Sequence, residues 1–255
     1  MTKKILITGA NGQLGHEMRN ALKGNNRFEC IFTDVAELDI CNAEAVKQII
    51  ADNHIDYIVN CAAYTQVDKA EDNAELCKKI NTDAVENLAR AAATYGARLI
   101  HISTDYVFNG RGYRPYTEDV VPDPQSVYGS TKLEGEKILT DICPESIIIR
   151  TAWLYSPYGN NFVKTMLHLG EEREELSVVA DQIGTPTCAA DLAQAILVIL
   201  QADTFVPGTY HFSDEGACSW YDFTVTIHRL AGITTCRVTP IRSDEYPSKA
   251  HRPFY

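Results

Sequence analysis

The chain has 255 residues, of which 45% are hydrophobic and 22% are charged. These fractions are close to globular averages, which argues against a disordered or fibrous protein, and the length allows a main domain with a smaller lobe. A formal net charge of −11 argues against a nucleic-acid-binding protein, because such proteins gain affinity from clustered Lys and Arg. Apolar runs are too short for a membrane span or a signal peptide, so we expect a cytoplasmic protein without a membrane partner.

The eight cysteines fit a reducing compartment. They form no CxxC pair, and several lie in apolar stretches, as Cys30 and Cys61 do. A reduced thiol in such a position behaves as a small hydrophobic side chain. We therefore expect neither a disulfide framework nor a metal site.

Short apolar runs alternate with helix-like segments over the first 150 residues. Helices are predicted near 12–23, 42–53, 72–95 and 125–141. The predicted strands are Lys4–Thr8, Phe28–Thr33, Tyr57–Asn60, Arg98–Ser103 and Ser146–Arg150. Their apolar cores are continuous rather than alternating, which is typical of strands that are covered on both faces. This β–α alternation predicts an α/β fold with a doubly wound parallel (Rossmann) sheet.

After residue 150 the alternation of predicted strands and helices becomes less regular. Helices are predicted near 160–173, 188–202 and 219–231, and strands near 176–180 and 208–212. We expect 1–150 to form the main domain and 151–255 to form mainly a smaller, interleaved C-terminal lobe. Residues 181–202 are expected to return to the main domain, and the strand around His211 and Phe212 to belong to the lobe.

A glycine-rich loop, Gly9–Gly15, follows the first strand and opens the first helix with the spacing GxxGxxG. Such a turn brings the backbone close to a pyrophosphate, and the helix N-terminus attracts the anion. Residues 1–150 are therefore predicted to bind a dinucleotide. Asp34 ends the second strand, where a carboxylate can bond a ribose 2′-hydroxyl; the alternative is an N-cap or a solvated turn residue. It favours NADH mildly, but Arg19 could reach a 2′-phosphate, so NADPH or NADH stays open.

Tyr128 and Lys132 stand four residues apart and would share one helix face. Thr104 lies just beyond the fourth strand, at the carboxyl edge where ligands of such sheets bind. An adjacent cation is expected to lower the pKa of Tyr128, which suits proton donation to a carbonyl that receives a hydride. Thr104 could bond the same oxygen, and Lys132 could hold the nicotinamide ribose.

The loop, Thr104, Tyr128 and Lys132 together resemble the extended short-chain dehydrogenase/reductase superfamily. Six further segments, in order, make nearly the whole chain similar to the dTDP-4-dehydrorhamnose reductase family. That family reduces the 4-keto group of a nucleotide-linked 6-deoxy sugar to give dTDP-L-rhamnose. The segments are Asn60–Thr65, Val67–Glu71, Ser103–Phe108, Arg150–Trp153, Asn160–Phe162 and Asp181–Thr187.

The resemblance implies roles for three sets of residues. Thr104, Tyr128 and Lys132 would be catalytic. Trp153 would contact the sugar, and Asn161 and Arg252 the nucleotide, which would make the lobe the substrate-binding part. Simple alternatives are lobe packing for Trp153 and a surface charge for Arg252. The cofactor would contact Gly9, Asn11, Gly12, Gln13, Leu14, Asp34, Asp39, Ile40, Ala62, Ala63 and Tyr64.

Related dehydratases carry Asp-Glu after the catalytic threonine, whereas this chain has Asp105-Tyr106. Elimination would therefore lack its second carboxyl group, which favours the reductase. A nucleotide-sugar epimerase of the same superfamily is one alternative. A non-catalytic, nucleotide-binding regulatory subunit is another, although the intact trio of Thr104, Tyr128 and Lys132 argues against it.

The resemblance also bears on assembly. Some members dimerise through a magnesium site, and Glu17 matches one ligand position. Ala189 and Ala190 stand where the family pattern has another glutamate, so we expect a monomer without structural metal. His101 is expected within a buried strand and the aromatic cluster Trp220–Phe223 in helix packing. Related chains continue past Tyr255, and the apolar end predicts that a closing segment is missing.

Overall fold

The computed structural model describes residues 2–255. Its strands are β1 Lys3–Thr8, β2 Phe28–Thr33, β3 Tyr57–Asn60, β4 Arg98–Thr104, β5 Ile147–Thr151, β6 Leu154–Tyr155, β7 Glu175–Val179, β8 Ile183–Gly184, β9 Thr187–Cys188, β10 Gly208–His211, β11 Cys218–Ser219 and β12 Arg237–Ile241. Its α-helices are α1 Gln13–Leu22, α2 Ala43–Asn53, α3 Val67–Ala70, α4 Ala74–Lys78, α5 Ala84–Tyr95, α6 Val127–Ile142, α7 Phe162–Glu172, α8 Ala189–Gln201 and α9 Trp220–Ala231.

The central sheet has six strands in the order β10-β5-β4-β3-β1-β2, and every neighbouring pair is parallel. This confirms the predicted doubly wound sheet. Strand β1 lies between β2 and β3, so the winding direction reverses beside it. Ligands of open parallel sheets bind at such a reversal, outside the carboxyl ends of the strands.

Alternate residues of the strands pack into two separate cores. On one face, Ile5 and Ile7 of β1 meet the apolar sides of α1 and α8. On the other face, Leu6 of β1 joins the buried residues of α2, α5 and α6. Both faces are covered, which explains why the strand sequences are continuously apolar.

The smaller lobe has its own core. Strands β7 and β12 pair in parallel, and α7 and α9 pack over them through Met166 and Ile227. Strand β12 and the short strands β6, β8, β9 and β11 carry too little apolar pattern to be recognised in the sequence. Helix α8, inside the segment 181–202, packs against α1 of the main sheet. None of the helices among residues 2–255 is both long and apolar enough to cross a bilayer.

Strand β10 corrects one sequence prediction. The segment around His211 is predicted in the smaller lobe, whereas the structure adds β10 to the main sheet beside β5, with His211 opposite Arg150. Phe212 then donates its N–H to the Arg150 carbonyl at 2.9 Å. The backbone N–H and C=O groups on this edge of β5 require hydrogen-bond partners, and the pattern of side chains does not show which segment supplies them.

The helix predicted near 72–95 is also interrupted. Between α4 and α5 the chain forms a π-helical turn, Lys79–Asp83, which contains the buried residue Asn81. Such turns commonly occur at functional sites. The polar contacts of Asn81, described below, give the physical reason for the interruption.

Candidate active site

A cavity of about 1310 Å³ lies between the carboxyl edge of the sheet and the smaller lobe. The structure gathers nearly all of the predicted site residues on its wall. Tyr64 is the exception, since its side chain packs with Ala70, Cys77 and Tyr128 in a small apolar cluster. The predicted residues on the wall are Gly9, Asn11, Gly12, Gln13, Leu14, Asp34, Asp39, Ile40, Ala62, Ala63, Thr104, Tyr128, Lys132, Trp153, Asn161 and Arg252.

The conformation of the glycine loop requires residues without a Cβ at two positions. Gly9 has a φ of +64°, and a Cβ there would lie 2.7 Å from the backbone nitrogen of Ala62. A Cβ at Gly15 would overlap the Gly9 carbonyl oxygen and the Ala10 backbone. The first turn of α1 therefore sits directly against the loop, with its free N–H groups at the cavity.

Asp34 braces this loop from the end of β2. Its Oδ2 accepts the Asn11 N–H at 2.9 Å, and its Oδ1 accepts the Val35 N–H at 2.8 Å. The carboxylate also lines the cavity. It is therefore both a turn residue and a candidate ribose ligand, and the two interpretations of the sequence are compatible.

Asn81 supports the opposite wall, and the sequence analysis missed it. Its Oδ1 accepts the Tyr64 N–H at 2.9 Å, and its Nδ2 donates to the Tyr64 carbonyl at 3.1 Å. These two bonds fix the backbone after Ala62 and Ala63. The available signal was a polar residue inside an otherwise regular helical pattern.

Helix α6 presents Tyr128 and Lys132 to the cavity. Its N-cap is Ser126, whose Oγ accepts the Gly129 N–H at 3.1 Å. Thr104, at the end of β4, donates to Asp105 Oδ1 at 2.9 Å. Lys132 is almost fully buried, and its Nζ donates to the Ile102 carbonyl at 2.6 Å.

The expected lowering of the Tyr128 pKa by Lys132 is wrong. Burial raises the pKa of Tyr128 above its ordinary value, against the opposing hydrogen bond with Thr104. Burial also lowers the pKa of Lys132 to about 8, against the opposing charge of Glu136. Loss of water on burial disfavours both charged forms, so the phenol of Tyr128 stays protonated.

Asp105 and Tyr106 extend the site beyond the predicted trio. Burial raises the pKa of Asp105 to about 6, although its bond from Thr104 opposes the change. The Tyr106 ring meets Tyr128 edge to face, with centroids 5.4 Å apart. Burial raises the pKa of Tyr106 to about 12, which leaves it a neutral phenol. Both residues line the cavity.

Trp153 and Trp220 add two indole rings to the wall of the cavity. Trp220 packs on Phe162 and Phe223 as the helix-packing interpretation expects, but it also faces the cavity, which sequence reasoning missed. Its Nε1 donates to Gln182 Oε1 at 3.2 Å. Gln182 belongs to the segment Asp181–Thr187, so that segment helps to orient the indole.

Asn161 links the two sides of the cavity. Its Oδ1 caps α7 by accepting the Lys164 N–H at 3.1 Å. Its Nδ2 donates to Gln13 Oε1 at 2.9 Å, and Gln13 belongs to the glycine loop. Asn161 thus connects the loop to the lobe.

Arg252 is not a free surface charge. Its guanidinium donates to Asp68 Oδ2 at 2.5 Å and to the Tyr106 hydroxyl at 3.3 Å. Ser248 and the Ala250 N–H donate to Asp68 as well. These bonds hold the C-terminal residues across the cavity, with Arg252 on the wall.

Comparisons with known proteins agree with this geometry. The family model of the RmlD substrate binding domain matches residues 3–255. The dTDP-4-dehydrorhamnose reductase of Aggregatibacter actinomycetemcomitans is 42% identical over 98% of this chain and 88% of its own. A crystal structure of a Clostridium acetobutylicum dTDP-4-dehydrorhamnose reductase superposes with a TM-score of 0.95 at 51% identity, covering 99% of this chain and 88% of the other.

The Bacillus anthracis dTDP-4-dehydrorhamnose reductase, solved in complex with NADP, superposes with a TM-score of 0.96 at 43% identity, covering 100% of this chain and 89% of the other. Family match, identity and coverage agree over almost the entire length. The chain belongs to the RmlD family, that of the dTDP-4-dehydrorhamnose reductases.

Proposed function

We propose that this chain reduces the 4-keto group of a dTDP-4-keto-6-deoxy-L-sugar to give dTDP-L-rhamnose, with NADPH or NADH as the reductant. One observation carries the proposal: Thr104, Tyr128 and Lys132 share a cavity wall with the glycine loop. A proton donor and a dinucleotide cradle thus open into the same space. The relatives named as reductases support the same reaction.

The residues at the sheet edge fit a dinucleotide. Gly9 and Gly15 leave a cradle that side chains would fill, and the start of α1 points its N–H groups into it. This loop would hold the pyrophosphate, Asp34 the adenosine ribose and Lys132 the nicotinamide ribose. When bound, the cofactor supplies the hydride.

Both cofactors are compatible with the chain. Asp34 offers an acceptor to a ribose 2′-hydroxyl and would repel a 2′-phosphate, which favours NADH. The Bacillus anthracis relative is in complex with NADP, which favours NADPH. We therefore propose that the chain uses either one, and steady-state kinetics with each cofactor would measure the preference.

Tyr128 is proposed as the proton donor. Burial keeps its phenol protonated, so it has a proton to give. That proton goes to the substrate carbonyl oxygen while the carbonyl carbon gains the hydride, and the product is a secondary alcohol. Thr104 would bond the same oxygen and keep it oriented toward Tyr128.

Trp153 and Trp220 are proposed to contact the sugar. Their rings face the cavity near the trio, and aromatic faces pack well on the apolar face of a 6-deoxy sugar. Arg252, and Asn161 more weakly, are candidates for the nucleotide part. Arg252 would offer a guanidinium to a diphosphate, provided that it releases some of its bonding to Asp68.

Tyr106 argues against elimination chemistry. It occupies the position at which related dehydratases carry a second carboxyl group. A phenol with a pKa of about 12 is a poor base near neutral pH. Simple reduction needs no such base.

The test is NADPH or NADH oxidation with dTDP-4-keto-6-deoxy-L-mannose, followed by identification of the sugar product. We expect turnover to dTDP-L-rhamnose in the wild type and loss of turnover with retained cofactor binding in Tyr128→Phe. Cofactor binding without wild-type turnover would contradict the reductase and favour a regulatory subunit. Sugar conversion without net cofactor oxidation would favour an epimerase.

We also infer a monomer that resides in the cytoplasm. Glu17 is buried and accepts a bond from Asn20, and α8 begins with Ala189 and Ala190, which cannot supply the second glutamate of the family pattern. All eight cysteines are free. A dimer mass in light scattering that EDTA reduces to a monomer would contradict the first inference, and cell fractionation tests the second.

A further inference from the structure

A chain of buried polar side chains runs beneath the cavity from β1 to α6. Thr8 Oγ1 donates to Asn60 Oδ1 at 2.7 Å. Asn60 Nδ2 lies 3.0 Å from His101 Nδ1, and His101 Nε2 lies 3.2 Å from Lys132 Nζ. All four residues are at most 1% exposed. The reaction proposed above uses only Lys132, so the other members need an explanation.

The direction of these bonds follows from one backbone group. The Ala62 N–H can only donate, and it points at Asn60 Oδ1 at 3.2 Å. The amide oxygen of Asn60 is therefore on that side, and its NH₂ group faces His101. His101 Nδ1 must accept, so the proton of a neutral imidazole lies on Nε2.

The Nε2–H group of His101 then faces Lys132 Nζ. An ammonium has three donors and no acceptor, so the charged lysine would oppose this N–H donor to donor. A neutral amine has one lone pair that can accept it. The amine can still donate to the Ile102 carbonyl at 2.6 Å. The bonding pattern thus fits the neutral form of Lys132.

The surrounding charges do not reverse this preference. Glu136, one turn further along α6, favours the charged lysine, but its carboxylate is bound by Arg150 at 2.6 Å and by Ser103. The Cys77 thiol of α4 and the Tyr128 phenol of α6 are the other titratable neighbours, and burial raises the pKa of both. Burial holds the pKa of His101 well below its usual range, so its imidazole stays neutral.

We propose that His101, oriented by Asn60, is a positioning residue that presents a ring N–H to Lys132 and thereby stabilises the neutral amine form of the lysine. The role of this lysine in turnover rests on the proposed function. The hydrogen-bond pattern itself does not, because groups of this chain alone form it. His101 touches neither reacting group and acts only through Lys132.

The first test is independent of activity. Nitrogen-15 NMR of the histidine-labelled protein reports the tautomer of each of its seven histidines, and His101→Gln and His101→Asn identify the signal by its loss. We expect a neutral Nε2–H tautomer that does not titrate between about pH 5 and 8. A Nδ1–H tautomer, or protonation of His101 at its ordinary pKa, would overturn the proposal even if the enzyme is a reductase.

The second test measures the titration of Lys132 as a limb of the pH profile of kcat. In His101→Gln the carboxamide oxygen can accept from an ammonium, so the limb due to Lys132 should move up by about one pH unit or more. Asn60→Asp should act in the same direction, because a second carboxylate oxygen would draw the proton to His101 Nδ1 and leave Nε2 as an acceptor.

Ile100→Val is the matched control. Ile100 is buried on the same strand but packs on the opposite face of the sheet. It should lower stability without moving the profile. A profile that stays in place in both folded variants, His101→Gln and Asn60→Asp, would refute the role of His101. A shift in Ile100→Val of the same size would reduce that role to ordinary core packing.

Discussion

The indole rings of Trp153 and Trp220 stack face to face, with centroids 3.4 Å apart and planes 8° apart. Trp153 follows β5 and has a φ of +48°, which a bulky residue rarely adopts. The Trp153 ring lies directly against Gly184, where a Cβ would overlap it. The strained backbone is thus held between Trp220 and Gly184, and the aromatic wall of the cavity exists only when lobe and sheet are assembled.

Replacing Trp220 should therefore weaken sugar binding more than cofactor binding. An aromatic pair contributes about 0.5–1.5 kcal/mol beyond its buried area, which corresponds to roughly a 2–12-fold change. We expect Trp220→Ala to raise KM for the nucleotide sugar by about that factor, with kcat less affected. Steady-state kinetics measure this, and Trp220→Phe should retain part of the effect. An equal loss of cofactor affinity in titrations would show that the pair supports the whole fold instead.

Alanine substitutions at two glycines of the loop should have different effects. A Cβ at Gly15 would overlap the Gly9 carbonyl, and overpacking of this kind costs about 1–3 kcal/mol. Gly15→Ala should therefore lower the midpoint of thermal unfolding. At Gly12 a Cβ would lie 3.2 Å from the same oxygen and would face the cavity, so Gly12→Ala should mainly weaken cofactor binding. If the two variants lost stability equally, the close approach at Gly15 would not be the cause.

Asp105 should make the protein less stable as the pH rises. Burial raises the pKa of Asp105 from 3.8 to about 6, so the folded state binds this proton more tightly than the unfolded state. The resulting stability is present at low pH and is lost between about pH 4 and 6. Asp105→Asn keeps an acceptor for Thr104 without the charge. It should raise the free energy of unfolding at neutral pH by on the order of 1–3 kcal/mol and change it little near pH 4.

Urea denaturation at several pH values measures this difference. Asp52→Asn on α2 is a suitable control because Asp52 is exposed, so its removal should leave the pH dependence intact. Asp105→Asn should also turn over more slowly, since Asp105 accepts the bond from Thr104 beside Tyr128. Equal pH dependence in the wild type and Asp105→Asn would rule out Asp105 as its source.

Asp68 should hold the C-terminal residues in a pH-dependent manner. Burial opposes ionisation, but bonds from Ser248 and Ala250 and the charge of Arg252 together lower the pKa of Asp68. A carboxyl group whose pKa is lower in the folded state stabilises that state at any pH above its unfolded-state pKa. The stabilisation is lost as the pH falls through the folded-state pKa. Residues 248–252 should therefore loosen only in acid, at a pH below the ordinary carboxyl range.

Asp68→Asn should reproduce this loosening at neutral pH. We expect faster amide exchange over residues 248–252 and a higher KM for the nucleotide sugar. The neighbouring Asp72 binds Lys249 at 2.5 Å, but both side chains are more than half exposed, so Asp72→Asn should change little. Equal amide exchange in the two variants would contradict the special role of Asp68.

The local features of this protein follow directly from its sequence. Continuous apolar runs identify five of the six strands of the central sheet because each of these strands is covered on both faces. The glycine spacing marks the dinucleotide cradle, and the four-residue separation of Tyr128 and Lys132 places both on one face of α6. The family resemblance adds the reaction and the roles of individual residues.

Other features depend on contacts between distant parts of the chain. Strand β10 joins the sheet by pairing with the backbone groups of β5. Asn81 lies in the π-helical turn, where its side chain bonds the backbone N–H and carbonyl of Tyr64. Trp220 faces the cavity only because α9 meets the loop after β5. The pKa of Tyr128 is raised, against the sequence expectation, because burial removes the water that would stabilise a phenolate. Periodicity and spacing are properties of neighbours along the chain and can be predicted from sequence, whereas burial and backbone pairing are decided by the tertiary structure.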